Sequence, residues 1–292
     1  MQAGAAALVL ALTSCGASGS SGDGPPKPSA FRTPYVDDKV YPVFVSSEVT
    51  VGKNRFLVGL LNDQDAPIGS PDIDMHVEFF DLERSSSEPV TGTDMRWVWT
   101  DKPRLGLYAS NVSFDEPGKW GAEVSVEGEH LDATVRGSFE VREHGSTPAL
   151  GERVPSVDTP TASSVREIRR ISTDDNPDPR FYRTSISGAL QAGHPFVVVF
   201  ATPKFCSSRA CGPVLDTVKR VADQTRDFTF IHVEPYKLPA DPTHLEPVAS
   251  ALRWGLPSEP WVFVVDGDGR LRAKFEGALS AGELKTAISR LR

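Results

Sequence analysis

Phe196 to Ala201 is an unbroken apolar run, rich in Val and Phe and flanked by Pro195 and Pro203. A run of that length and composition reads as a strand buried on both faces. Past a short turn, Val214, Leu215, Val218, Val221 and Ala222 recur at helical spacing and predict an amphipathic helix over about 212–226. The pattern then predicts a strand at Phe228–Val233 and a helix opening at Thr243, where Glu246 three residues on completes a capping box, and closing near Gly255. A strand at Trp261–Val265, a hairpin turn at Asp266-Gly-Asp-Gly and a strand at Arg270–Phe275 follow. The last helix starts from Ser280, with Glu283 as the second half of another capping box. Two short helices are expected upstream, at 163–171 and 185–192.

The first half of the chain has the other period. Candidate strands are Val40–Val45, Asn54–Leu61, Asp74–Asp81, Thr93–Thr100, Gly106–Phe114, Gly118–Val126 and Ala133–Val141, with turn residues at roughly ten-residue spacing. The block resembles an immunoglobulin-like sandwich with Trp97, Trp99 and Trp120 as core anchors. A Met-His pair suits copper, and Met75-His76 with Met95 invites that reading. Adjacent strand residues point to opposite faces, however, so a core Met beside a surface His is the expectation. Residues 144–162 are Pro-rich and aperiodic and mark a linker.

A length of 292 residues suits two domains. The net charge of −8 and pI of about 5.3 argue against a nucleic-acid-binding surface. No stretch after the N-terminal segment is long and apolar enough to cross a bilayer. The three cysteines carry more information. Cys15 closes a short apolar segment, and Leu12-Thr13-Ser14-Cys15 resembles the lipobox of bacterial lipoproteins. That resemblance implies a signal peptide over 1–14, lipid on Cys15, and an extracytoplasmic protein anchored to the bacterial cell membrane. Residues 15–34, mostly Gly, Ser and Pro, then serve as a tether. The expected organisation continues with a β-domain over 35–143, the linker, and a second domain over 163–292.

Cys206 and Cys211 lie between the buried strand and the amphipathic helix, and outside the cytoplasm two such thiols can pair. From about residue 180 onward the chain resembles the thioredoxin family. The strand 196–201, the cysteine after it, Pro213 in the next helix and Pro260 at the start of a strand carry the likeness. The resemblance implies an α/β thioredoxin fold, a cis Pro260 packed against the cysteines, and thiol-disulfide exchange with protein thiols or disulfides of the cell envelope. Cys206 would then be the nucleophile and Cys211 the resolving thiol. The spacing departs from the family, because four residues separate the cysteines instead of two. Cα atoms at i and i+3 of a helix are about 5 Å apart, but at i and i+5 roughly 8.6 Å. A Cys206–Cys211 bond therefore requires 207–210 to leave regular helix. Two other readings stand beside catalysis: a binding or scaffold protein with a structural disulfide, and copper delivery with His194, His232 or His244 as a third ligand. No cofactor and no metal site are assigned from the sequence.

Overall fold

The structure, a computed structural model, describes Phe31 and residues 40–292; Cys15, the signal segment and the tether lie outside the described residues. Strands β1 (Val40–Phe44), β2 (Gly52–Asn62), β3 (Asp74–Asp81), β4 (Thr91–Asp101), β5 (Leu105–Phe114), β6 (Gly118–Gly128) and β7 (Leu131–Val141) fill the first half. They are antiparallel and lie in the order β1-β2-β5-β4-β3-β6-β7. Strand β4 makes the arrangement continuous. Its first half pairs with β3, from Phe79↔Thr91 to Met75↔Met95, and its second half pairs with β5, from Arg96↔Ala109 to Asp101↔Leu105.

The β-rich expectation thus holds: the seven strands form one sheet that bends around its core and brings β1 and β7 close without pairing them. That core is aromatic. Phe56, Phe79, Phe114 and Trp120 are wholly or almost wholly buried, and Phe139 packs among them with ring centroids 4.9 Å from Phe56 and 5.5 Å from Phe114. Alternation along β6 explains it, since Trp120, Ala122, Val124 and Val126 all point inward.

Met75 is buried opposite Met95, while His76 faces solvent and meets Asp94 at 2.6 Å. The pair sits on opposite faces, as strand geometry requires. Of the three tryptophans, Trp120 is a core anchor; Trp97 and Trp99 are half-buried and stack edge to face at 5.3 Å. Val98 between them turns the other way, into a small cluster with Leu57, Ala109 and Ala278. That cluster joins the two halves of the chain.

The second half contains α1 (Val165–Ile168), α2 (Ile186–Ala192), β8 (Phe196–Phe200), α3 (Cys211–Ala222), β9 (Thr229–Val233), α4 (Ala249–Arg253), β10 (Trp261–Val265), β11 (Leu271–Glu276) and α5 (Ala281–Ser289). Its sheet runs β11-β10-β8-β9, with β8 and β9 parallel and the other pairs antiparallel. Every residue of β8 is buried. Val197 and Val199 meet Val214, Leu215 and Leu284 on one face, and Phe196, Val198 and Phe200 meet Ile186 and Trp254 on the other.

The expected α/β thioredoxin fold is corrected: among the described residues the chain is predominantly β, a seven-stranded and a four-stranded sheet with five short helices. Helices read from the pattern shrink for identifiable reasons. The span 163–171 yields only four helical residues. The capping box at Thr243 does not form. Thr243 donates through N and Oγ1 to Asp241 Oδ1 instead, Pro247 disfavours helical backbone at Glu246, and Lys237 N donates to Glu246 O at 2.9 Å. Helix α4 begins only after the extended Val248. At Ser280 the box does form, with Ser280 Oγ accepting from Glu283 N at 3.2 Å and donating to Glu283 Oε2 at 2.8 Å.

Polar contacts fasten the halves together. Arg55, on β2, donates to Glu283 at 2.7 Å and to the carbonyls of Glu276 and Ala278. Glu48 accepts from Lys274 Nζ at 2.7 Å and from Ser146 N and Thr147 N at 2.6 and 3.0 Å. The aperiodic segment after residue 144 is therefore ordered against its surroundings. Its Gly151 and Val154 N–H groups donate to the carbonyls of Leu271 and Gly269.

Candidate functional site

Thr202 follows β8, and its carbonyl accepts from Cys206 N at 3.1 Å, opening the turn that carries the first cysteine. Arg209 stands at φ +57°, a left-handed conformation that breaks any helix between the sulfurs. Cys211 is the first residue of α3 and has no exposed surface. Cys206, in the loop, is half-buried against the same core.

The two form a disulfide with Cα atoms 6.0 Å apart, and 207–210 leave regular helix, as the spacing demands. The helix expected over about 212–226 starts one residue earlier, so that Cys211 opens it, and Cys206 precedes it. Cys206 Sγ accepts the Cys211 N–H at 3.3 Å and lies 3.2 Å from Ser208 Oγ.

The turn before β10 closes over the bond. Glu259 and Pro260 are joined by a cis peptide bond, and Pro260 is buried. A Glu259 carboxylate oxygen and the two sulfurs all lie within 4.8 Å of one another. Tyr236 donates its hydroxyl to Glu259 Oε2 at 2.7 Å and so fixes that carboxylate. Glu259 escaped the sequence reading, although it adjoins Pro260; the only signal was its place next to a proline already singled out.

Beneath the turn lies a buried polar network that the sequence reading also missed. His232 Nε2 donates to Ala201 O at 2.9 Å, which leaves Nδ1 to accept from Tyr182 Oη at 2.7 Å. Ser172 Oγ bonds the same tyrosine at 3.0 Å. Burial lowers the His232 pKa to about 4, partly opposed by its bond to Ala201, so the ring is neutral at pH 7. Glu234 accepts from Thr173 N and Oγ1, both at 2.8 Å, and burial raises its pKa against those bonds. Thr173 Oγ1 in turn accepts from Lys204 N at 3.3 Å. Residues 201–206 are thus pinned at Ala201 and Lys204 by side chains from elsewhere in the chain.

The histidines considered for copper do not come to the sulfurs. His232 is committed to Ala201 and Tyr182, and His244 sits in an exposed turn with its N–H on Asp241 O. The third donor beside the cysteines is Glu259.

A second candidate is a cleft of about 400 Å³ where β1 and β7 approach without hydrogen bonding. Phe44, Phe56 and Phe139 are among its apolar lining, and Glu140 and Arg142 among its polar lining.

No protein-family model matches the chain, and no curated protein does. Among solved structures, the chain is similar to the CARDB domain of a Pyrococcus furiosus protein, solved in complex with di-metal ions. The match has 14% identity and a TM-score of 0.21, over 42% of this chain and 98% of that one. The thioredoxin-family membership that the resemblance implied is corrected by the fold: the described residues are predominantly β, in a seven-stranded and a four-stranded sheet.

Proposed function

We propose that this protein is a non-catalytic binding or scaffold protein of an extracytoplasmic compartment, with a structural Cys206–Cys211 disulfide. The observation that carries the reading is the position of the bond. It ties the half-buried Cys206, in a loop, to the wholly buried first residue of α3. A bond so placed acts as a staple, and closing so short a loop contributes about 2 kcal/mol on the chain-entropy scale. The cleft between β1 and β7 offers a surface for a partner. Lipid attachment at Cys15 and location at the cell membrane remain parts of the proposal, as does a partner among the proteins of the cell envelope. No helix among the described residues is long and apolar enough to cross a membrane.

A second reading, thiol-disulfide exchange, draws on the asymmetry of the pair. After reduction Cys206 is the accessible sulfur, and the Cys211 N–H and Ser208 hydroxyl would both stabilise its thiolate. One experiment separates the two. A staple has a reduction potential below about −300 mV, and a Cys211→Ser variant then accumulates no mixed disulfide with envelope proteins. A higher potential together with Cys206-linked adducts would replace the scaffold reading with the second.

A further inference from the structure

We propose that the reduced Cys206–Cys211 pair and Glu259 form a binding site for one thiophilic divalent cation, with Zn(II) the best chemical match. The inference concerns the dithiol form and goes beyond the staple. Two sulfurs and one carboxylate oxygen already lie within 4.8 Å of one another. In a tetrahedral zinc site, Zn–S bonds of about 2.3 Å and a Zn–O bond of about 2.1 Å place ligand atoms roughly 3.6–3.8 Å apart. The backbone therefore needs little adjustment once the S–S bond is broken.

The third ligand is pre-positioned. Tyr236 holds Glu259 Oε2 at 2.7 Å, the kind of supporting hydrogen bond that orients a ligating carboxylate. Cys211 is wholly buried while Cys206 and Glu259 are half-buried, so a bound ion is shielded on one side and reachable from the other. The open side supplies a fourth position for water. Two soft thiolates with one hard carboxylate suit a borderline ion; Cu(I) is satisfied by thiolates alone and gains little from Glu259.

The steps balance with an external dithiol as reductant. The reductant gives two electrons and two protons, the Cys206–Cys211 bond breaks, and two protein thiols form while the reductant becomes a disulfide. When the ion binds, each thiol loses its proton to solvent as its sulfur bonds the metal.

The test uses the full chain, reduced anaerobically and freed of reductant. It is titrated with Zn(II) against a chromophoric chelator, and separately with Co(II). One equivalent should bind, with a tetrahedral Co(II) spectrum and thiolate charge-transfer bands, and oxidised protein should bind none. Glu259→Gln, which keeps an acceptor for Tyr236, should weaken binding at least tenfold. Less than one equivalent, an octahedral Co(II) spectrum, or equal affinity in Glu259→Gln would overturn the proposal. Should that variant fail to fold, X-ray absorption of the wild-type Zn(II) form decides. Two sulfurs and at least one oxygen support the site, and any other sulfur count removes it. Failure here leaves the oxidised staple untouched, so the two readings stand or fall separately.

Discussion

Arg55 and Glu283 lie 228 residues apart in the chain, yet Arg55 Nε meets Glu283 Oε1 at 2.7 Å. The same carboxylate caps α5 through Ser280, so one side chain both starts the last helix and fastens it to the N-terminal sheet. Burial alone would raise its pKa; the Arg55 charge and the hydrogen bonds outweigh that and hold it below the ordinary glutamate value.

Arg55→Ala should therefore cost about 2–3 kcal/mol in urea unfolding, because it strands a largely buried carboxylate and two carbonyls. Glu283→Gln keeps an acceptor for the cap and should cost less. A double-mutant cycle should return a coupling of at least about 1 kcal/mol; additive effects would mean the pair contributes nothing as a pair.

Glu48 gives the junction an acid dependence. Burial opposes its ionisation, but bonds from Lys274 and Thr147 prevail and lower the pKa to about 2, from an ordinary 4.5. Its contribution is complete above pH 4.5 and is lost as pH falls toward 2, a loss of roughly 3 kcal/mol. Glu48→Gln should flatten that part of the stability-against-pH curve. Gly145→Ala should imitate the variant, since a Cβ there would lie 2.3 Å from Glu48 Oε1 and displace the carboxylate.

His232 sets a second pH window. The unfolded chain binds a proton near pH 6.5, whereas the buried ring resists one until about pH 4. The His232 contribution to stability should fall as pH drops through that interval, by an amount on the order of 2–3 kcal/mol, and change no further below it. The sign matches that of Glu48, but the window is higher. His232→Gln should remove the slope between pH 6.5 and 4 and leave the Glu48 slope intact in denaturant titrations.

Reduction of the disulfide should lower unfolding stability by about 2 kcal/mol. In the reduced, metal-free protein, Cys206 should be alkylated well before Cys211, because Cys211 has no exposed surface. Peptide mapping after a brief pulse of alkylating agent reads the order. Equal labelling would show that the turn opens once the bond is broken.

Much of this was written in local patterns. The unbroken run at 196–201 predicts a strand buried on both faces, which the structure forms over Phe196–Phe200, and alternation gave the N-terminal strands to within a few residues. Met75 and His76 had to part company because neighbouring strand residues face opposite ways. The four-residue cysteine gap dictated a break in the helix, which the left-handed Arg209 supplies. Such features depend on a few adjacent residues and their steric limits, so they are legible before any fold is known.

Other features required distant residues to meet. Two similar capping boxes had opposite fates: Ser280–Glu283 stands, while Thr243–Glu246 gave way because Pro247 and the pairing of Lys237 with Glu246 hold that segment extended. Nothing near Thr91 or Asp101 announces that β4 divides its hydrogen bonds between two partners. Glu259, 48 positions beyond Cys211 in the numbering, reaches the sulfurs only because the turn before β10 folds over the start of α3. Short-range preferences fix which segments extend or coil, at fractions of a kcal/mol per residue. Which carboxylate finds which cation or sulfur is settled when the sheets pack, since burial then makes every unpaired polar group costly.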